Sequence, residues 1–174
     1  MTEVLVERHR DEPLTDADMA RMIEQGSGCL ALHRVRWNRS LLSSDGRELL
    51  CHFSSVDAES VRLALRALGS LHAVAWACTV HDAPGLTGDE LARANVLVSS
   101  RFEAPLAFEE LTSQGDGAAC LLNHRVRFVR TLLSTDRRRR ISLCQAPDAE
   151  SVRVALREAQ APVERVWAFR QFRP

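Results

Sequence analysis

A ten-residue segment that occurs twice limits the possible folds of this chain more than any other feature. Residues 57–66 read DAESVRLALR and residues 148–157 read DAESVRVALR, so they differ only where Val154 replaces Leu63. Two further pairs keep the same spacing of 91 residues: HRVR at 33–36 and 124–127, and LLSSD at 41–45 with LLSTD at 132–136. Internal similarity at a fixed period indicates repeated structural units. The sequence therefore predicts two copies of one unit.

The spacing of the copies changes near their amino ends. Val4-Leu5-Val6 matches Val96-Leu97-Val98 at a spacing of 92, which implies one residue deleted in the first helix of the second copy. Between the copies, Pro84, Gly85 and Gly88 are typical of a turn or linker. We predict a first repeat at 3–82, a linker at 83–94 with a short helix from 88 to 94, and a second repeat at 95–173.

Each copy carries the same order of structural signals. In the first copy, Thr15 or Asp16 can cap a helix, Asp45-Gly46 lies between apolar runs as in a hairpin turn, and Asp57 can cap a second helix. The predicted elements are strand 4–10, helix 15–32, strand 35–42, strand 48–54, a helix from 57 to about 69, and strand 73–81. This β-α-β-β-α-β order predicts an α+β chain of two ferredoxin-like units.

Two helices cover only one face of a four-stranded sheet, so the other face needs a second cover. Six aromatic rings fall on predicted strands, which is too many to leave in water on an open face: Trp37, Phe53, Trp76, Phe128, Trp167 and Phe169. We expect the two sheets to pack on each other as an intrachain version of the dimeric α+β barrel, with a cleft between them. A monomer would then suffice, and a homodimer remains compatible with the sequence.

Composition excludes several partners. The 23 acidic and 23 basic residues cancel, so no net charge attracts nucleic acid or an anionic membrane. No apolar run approaches the ~20 residues that span a bilayer, and the amino terminus lacks a signal-peptide pattern, which predicts a cytoplasmic protein. The sequence contains 23 arginines and no lysine, which we interpret as the codon bias of a GC-rich bacterial genome.

The five cysteines form no recognisable framework. Their number is odd and no CxxC spacing occurs, so the sequence indicates neither a disulfide scaffold nor a zinc ribbon. We expect them to be small buried apolar residues.

The first copy resembles a bacterial ferredoxin-like family of small nickel-binding or nickel-responsive proteins. The resemblance is carried by VLVER at 4–8, Val35-Arg36-Trp37 with Ser40, Asp45-Gly46, Cys51 and the DAESVR segment. The second copy shows the same pattern, with Phe128 for Trp37 and Thr131 for Ser40. Members of that family resemble single units that dimerise, whereas this chain carries two. The resemblance implies binding of nickel or another divalent transition metal.

Three histidines are candidates for a metal site in the first copy. His9 ends the first predicted strand, His52 lies within the third, and His81 ends the fourth. Neutral imidazole is a common ligand of nickel, zinc and copper. The alternative is that these histidines are solvated or packed without a metal.

A cleft for an organic molecule is the competing interpretation. On the strand face opposite Val35 and Trp37, the sequence places Arg36, Asn38 and Ser40, and the second copy offers Arg127 and Thr131. Glu7 and His9 on the first strand could serve as general acid and base. The alternative is that these polar residues form the solvated side of a half-buried sheet.

These observations favour a protein that binds a small ligand or a nickel-type metal ion between its two sheets. The alternative function is a cofactor-independent enzyme of the cyclase, isomerase or oxygenase type in bacterial secondary metabolism, by fold-level analogy. A third interpretation is an interaction module without a ligand. No phosphate loop, dinucleotide fingerprint or nucleophile elbow occurs in the sequence.

Overall fold

The helices and strands of the described residues follow one another in the order that the sequence predicts. The structure, a computed structural model, describes residues 1–70, 73–107 and 118–174. The strands are β1 Thr2–His9, β2 Arg36–Ser43, β3 Glu48–Ser55, β4 Val74–Asp82, β5 Val96–Arg101, β6 Arg127–Ser134, β7 Arg139–Gln145 and β8 Arg165–Phe172. The helices are α1 Asp16–Leu32, α2 Ala58–Ala67, α3 Gly88–Ala92, α4 Ala118–Asn123 and α5 Ala149–Glu158. Among these helices, none has the length and apolar character needed to cross a bilayer.

The chain divides into two compact units. The first unit comprises residues 1–78 and 170–174, and the second comprises residues 79–169. The carboxyl end joins the first unit because Arg170 lies 3.0 Å from the Asp16 carboxylate and Phe172 packs on the core of that unit. The predicted linker contains α3, which belongs to the second unit.

The sheet of the first unit has the strand order β4-β1-β3-β2, with each pairing antiparallel. Strand alternation turns Val4 and Val6 of β1 toward α1 and α2, where they pack with Met19, Val61 and Leu65. Both helices therefore lie on one face of this sheet, as the ferredoxin-like order requires.

The second unit repeats this arrangement with the strand order β8-β5-β7-β6. The register is also the same, since Leu5 lies opposite His52 in the first unit and Leu97 lies opposite Leu143 in the second. The α+β class and the β-α-β-β-α-β order of the first unit are confirmed. The deletion predicted in the first helix of the second copy falls in or next to residues 108–117, outside the described residues. An origin by duplication stays a prediction.

Local chemistry explains where the elements begin and turn. The Thr15 hydroxyl accepts from the Asp18 backbone N–H, while Asp57 and Asp148 accept from the N–H groups of Ser60 and Ser151. Gly46 turns the β2–β3 hairpin with φ of 75°, and a Cβ there would lie 2.5 Å from the Leu14 carbonyl oxygen. The turn therefore requires glycine at this position.

A β-bulge at the same place in both units changes which side chains share a face. The register shifts between Trp37 and Arg39 in β2 and between Phe128 and Arg130 in β6. Because one extra residue enters the strand, the alternation of faces reverses after it. Ser40 consequently lies on the helix side with Trp37, and Thr131 lies there with Phe128. The expectation that Ser40 and Thr131 occupy the opposite face is wrong.

The six aromatic rings are divided between the two faces of their sheets. Trp37, Phe53 and Phe128 pack on the helix side. On the other face, Trp76 lies opposite Leu5, Trp167 lies opposite Leu97, and the Phe169 ring, two residues along the strand, lies 6.2 Å from that of Trp167. In the first unit that other face also buries three leucines: Leu5, Leu41 and Leu50. It is therefore not a solvated surface. The packing of the two sheets on each other stays a prediction.

Candidate functional site

The structure does not bring the three candidate metal-binding histidines together. His9 lies opposite Glu48 and His52 opposite Leu5, so they are four residues apart along β1, or about 13 Å. His81 belongs to the second unit.

Each of these three histidines has a polar partner. His9 Nδ1 lies 2.7 Å from Glu48 Oε1, His52 Nε2 lies 2.6 Å from Glu3 Oε2, and His81 Nε2 lies 2.8 Å from Thr79 Oγ1. Within the described residues, no group of three or more His, Cys, Asp or Glu side chains could hold a metal ion. Nickel or another divalent metal stays a prediction.

Glu7 and His9, the proposed acid and base, face the same side of β1 but have separate partners. The Trp76 indole donates a 2.7 Å hydrogen bond to Glu7 Oε1, while His9 pairs with Glu48. Alternate residues of a strand lie about 6.6 Å apart, and the His9 side chain is 61% exposed. The described structure therefore does not place the two groups as a hydrogen-bonded pair in an enclosed site.

Arg36 and Asn38 belong to a polar network at the first-unit sheet. Asn38 Nδ2 donates to Ser54 Oγ at 2.7 Å and to Glu3 Oε2 at 3.2 Å, and Arg36 Nε donates to Asn38 Oδ1 at 3.1 Å. The Ser54 hydroxyl in turn donates to Glu3 at 3.0 Å. Ser54 is buried, so these bonds satisfy polar groups that burial would otherwise leave unpaired.

The remaining predicted ligand residues lie elsewhere. Ser40 is buried on the helix side of the first sheet. Arg127 donates to Glu90 Oε1 at 2.6 Å, and the hydroxyls of Thr131 and Ser142 lie 3.5 Å apart, all in the second unit. The five residues predicted to hold an organic ligand thus lie in two units and on more than one sheet face.

A cavity of about 570 Å³ lies in the first unit, between the sheet and helices α1 and α2. This volume falls within the range of small-molecule pockets. Its lining combines an apolar majority with several charged side chains: Arg8, Arg10, Leu14, Asp18, Arg21, Met22, Gln25, Gly26, Leu30, Trp37, Cys51, Phe53, Leu65, Leu68, Gly69 and Ser70.

The indole of Trp37 forms one wall of the cavity and is held at both ends. Its Nε1 donates to Ser40 Oγ at 2.9 Å, and the Ser40 hydroxyl donates to Cys51 Sγ at 2.9 Å. The other end of the ring lies against Gly26, where an added Cβ would be 3.3 Å from Trp37 Cζ3. The glycine in α1 therefore leaves room for the ring in this position.

Arg8 reaches the cavity from a strand position where an apolar residue would be expected. It follows Val4 and Val6 on the helix side of β1 and lies opposite Leu49. Its Nε is shielded from solvent and has no hydrogen-bond acceptor among the described residues. An unsatisfied buried donor costs about 1–3 kcal/mol, and more when it is charged. The cavity thus contains an unsatisfied cationic donor.

Positive charge exceeds negative charge in the cavity lining. Arg8, Arg10 and Arg21 face one carboxylate, that of Asp18, which pairs with Arg21. Hydrogen bonds from the Thr15 hydroxyl and backbone N–H, together with Arg21, lower the pKa of Asp18 to about 2, so this carboxylate is ionised at neutral pH. Arg8 and Arg10 consequently have no compensating carboxylate in the lining.

Cys51 contributes a neutral thiol to the cavity floor. Burial raises its pKa, and the Arg8 guanidinium and the Ser40 hydrogen bond only partly oppose this rise. The thiol is therefore protonated at neutral pH, and it is not an activated nucleophile.

The second unit has different residues at the equivalent strand positions. Arg8 lies opposite Leu49, whereas Ser100 lies opposite Arg140. Ser100 donates a 2.8 Å hydrogen bond to the Pro162 carbonyl, and the Arg140 guanidinium lies 5.3 Å from the ring centre of Phe102. The buried cationic donor on the first strand is therefore specific to the first unit.

Sequence reasoning missed this cavity, although two signals pointed to it. Arg8 interrupts the apolar alternation of Val4 and Val6, and Gly26 lies inside a helix, where glycine is unfavourable by about 1 kcal/mol relative to alanine. A charged residue at a core-facing position and a glycine inside a helix both lower stability. Such exceptions are typical of functional sites.

Similarity to a solved structure with a TM-score above 0.5 supports the α+β fold class. A candidate chlorite dismutase, TA0507, superposes with a TM-score of 0.53 at 18% identity, covering 99% of this chain and 94% of the other. An anthrone oxidase-like protein gives 0.46 at 13% identity, covering 99% and 93%. A candidate monooxygenase from Lactobacillus acidophilus NCFM gives 0.46 at 9% identity, covering 98% and 94%. No protein-family model matches this chain, and no curated protein matches it significantly.

Proposed function

We propose that this protein binds a small organic molecule in the first-unit cavity, between α1, α2 and the sheet. The observation that carries the proposal is the cavity itself: about 570 Å³, with a partly apolar lining and an unsatisfied arginine donor. Binding sites for small molecules commonly combine an apolar wall with a few polar groups that fix orientation. The cleft expected between the sheets is a different location, and it stays a prediction.

The chemistry of the lining supports binding over catalysis. The ionised Asp18 carboxylate is held by Thr15 and Arg21, and the Cys51 thiol is protonated. The described lining contains no histidine or glutamate that could act as a base tuned near neutral pH. The cyclase, isomerase or oxygenase alternative therefore draws no support from this cavity, and it stays a prediction.

A fluorescence titration with N-phenyl-1-naphthylamine tests the proposal. This neutral aromatic probe is apolar, and its fluorescence increases when it moves from water into an apolar site. Gly26→Leu would place a branched side chain against Trp37 and fill part of the cavity. We expect Gly26→Leu to weaken probe binding by about tenfold or more, which corresponds to losing about 1.4 kcal/mol of binding free energy.

Gly28→Leu is the matched control, because Gly28 lies in the same helix and a Cβ there has no neighbour within 4 Å. We expect its probe affinity to stay within about twofold of the unmodified protein. Equal weakening by the two variants, or no effect of Gly26→Leu, would remove this cavity as the binding site. Circular dichroism of both variants confirms that the helix remains folded.

A further inference from the structure

We infer that the ligand of this cavity is an organic anion whose acidic group pairs with Arg8 and whose apolar body lies against Trp37 and Phe53. This inference rests on the proposed binding function and adds the chemical class of the ligand. It needs both an acceptor for Arg8 and an apolar body for the remaining cavity.

Arg8 is suited to pair with a buried acidic group. Its guanidinium can present two parallel donors to a carboxylate, sulfonate or phosphate group. The Nε donor is already removed from water and lacks an acceptor among the described residues. A ligand acceptor would satisfy this donor without further desolvation of the Nε–H group. The free energy of desolvating it has already been spent in folding, so binding does not have to supply it.

The position of Arg8 beside the cavity floor supports the same pairing. Arg8 and Cys51 both line the cavity, and the guanidinium partly opposes the rise that burial causes in the pKa of the Cys51 thiol. Positive charge acts more strongly there than at the surface, because few water molecules screen it. An anion in the cavity would therefore gain more from Arg8 than from an exposed arginine.

Arg10 adds positive charge at the exposed part of the lining. It is solvent-exposed, while the neighbouring Arg21 pairs with Asp18. An exposed cation contributes more to the rate of encounter than to affinity, and its effect falls with added salt. The cavity thus presents an electropositive entrance and a cationic donor further in.

The apolar part of the lining favours a ligand with an apolar body over a simple inorganic anion. Leu30, Trp37, Phe53 and Leu65 belong to this part, and the Trp37 indole N–H already donates to Ser40. The Trp37 and Phe53 ring centres lie 5.6 Å apart with planes inclined by 38°. These rings favour an apolar, ring-sized body.

The test compares two probes that differ by one acidic group. N-phenyl-1-naphthylamine is neutral, and 1-anilinonaphthalene-8-sulfonate adds a sulfonate to the same ring system. We expect Arg8→Met to lower the affinity for the sulfonate probe relative to that for the neutral probe by about tenfold, because only the sulfonate can form the charge-assisted pair that the substitution removes. Arg140→Met, at the second-unit position equivalent to Leu49, is the control and should leave both affinities within about twofold.

A second measurement needs no variant. In the unmodified protein, 2-naphthoate should displace the neutral probe at about tenfold lower concentration than 2-naphthamide, which has the same rings without the charge. Sodium sulfate at matched ionic strength should not displace it. This comparison keeps the inference testable even if Arg8→Met fails to fold.

The outcomes separate this inference from the proposed function. Equal displacement by naphthoate and naphthamide, or equal loss of both probes in Arg8→Met, would overturn the organic-anion inference while leaving the cavity as a binding site. Neutral-probe affinity that is unchanged in Gly26→Leu would instead overturn the cavity, and this inference with it.

Discussion

At the residue scale, equivalent strand positions of the two units carry side chains of different chemistry, although the strand register is the same. Arg8 and Ser100 occupy the same strand position, as do Leu49 and Arg140. Ser100 satisfies its hydroxyl on a backbone carbonyl, whereas Arg8 keeps an unsatisfied donor beside a cavity. A repeat in sequence therefore does not imply a repeated site.

The cysteines provide a prediction about pH. Burial raises the pKa of the Cys51, Cys78 and Cys144 thiols, that of Cys78 to about 12. These thiols therefore form reactive thiolates only at a pH above the usual pKa of a cysteine. With iodoacetamide at pH 8, we expect Cys29 and Cys120, which are partly exposed, to be alkylated first. Peptide mass spectrometry measures the order.

Unfolding in urea is the control for this labelling, because all five cysteines should then react at similar rates. Alkylation of Cys51 as fast as Cys29 in the native protein would contradict the assignment of Cys51 as a buried, protonated thiol. The sequence-based expectation that the cysteines are buried is confirmed for three of the five, since Cys29 and Cys120 are only partly buried.

At the element scale, α1 connects helix stability to the shape of the cavity. It contains two glycines two residues apart, Gly26 facing Trp37 and Gly28 facing open space. Glycine in a helix interior is less stable than alanine by about 1 kcal/mol. The sequence shows both glycines, but only the packed structure shows that Gly26 makes room for a ring.

Alanine substitution should distinguish the two glycines. We expect Gly28→Ala to stabilise the protein by about 0.5–1 kcal/mol through helix propensity alone. Gly26→Ala should give less than this or destabilise, because its Cβ would lie 3.3 Å from Trp37 Cζ3. Urea unfolding monitored by circular dichroism measures both values. Equal stabilisation by the two variants would show that Trp37 does not pack tightly on Gly26.

The strand patterns predicted where the strands lie better than they predicted which sheet face each side chain occupies. Period-two alternation and the Asp-Gly turn identify β2 and β3 correctly. The bulge after Trp37 then reverses the alternation, so Ser40 joins the helix side and bonds to Trp37 and Cys51. A bulge depends on pairing with the neighbouring strand, and one strand's sequence does not reveal it.

At the scale of the whole molecule, the repeat predicted the order of elements but not how the chain divides. Residues 170–174 join the first unit, where Phe172 packs against the core formed by β1, α1 and α2. Such long-range contacts have no local sequence signal. Arg8 and Gly26 are local signals of the cavity, but its walls come from segments spread between Arg8 and Ser70, and the sequence does not show that these segments meet.

Truncating the Phe172 side chain should therefore destabilise a unit that begins at the other end of the chain. Removing a fully buried phenylalanine ring costs about 3–5 kcal/mol of unfolding free energy, and because Phe172 is only partly buried, we expect Phe172→Ala to cost about 1–3 kcal/mol. Hydrogen exchange should show reduced amide protection in β1. Leu122→Ala, at a side chain that is 76% exposed, is the control and should leave β1 unchanged. Unchanged β1 protection in Phe172→Ala would contradict this division of the chain.

The indole N–H resonances of the three tryptophans test the central claim most directly. Trp37 lines the first-unit cavity, whereas Trp76 and Trp167 lie on the sheet faces away from the helices. In a ¹H–¹⁵N correlation titration with N-phenyl-1-naphthylamine, binding in the cavity should shift the Trp37 indole peak, assigned through Trp37→Phe, and leave the other two in place. Shifts of Trp76 and Trp167 with an unmoved Trp37 would contradict the proposed site and favour one on the other face.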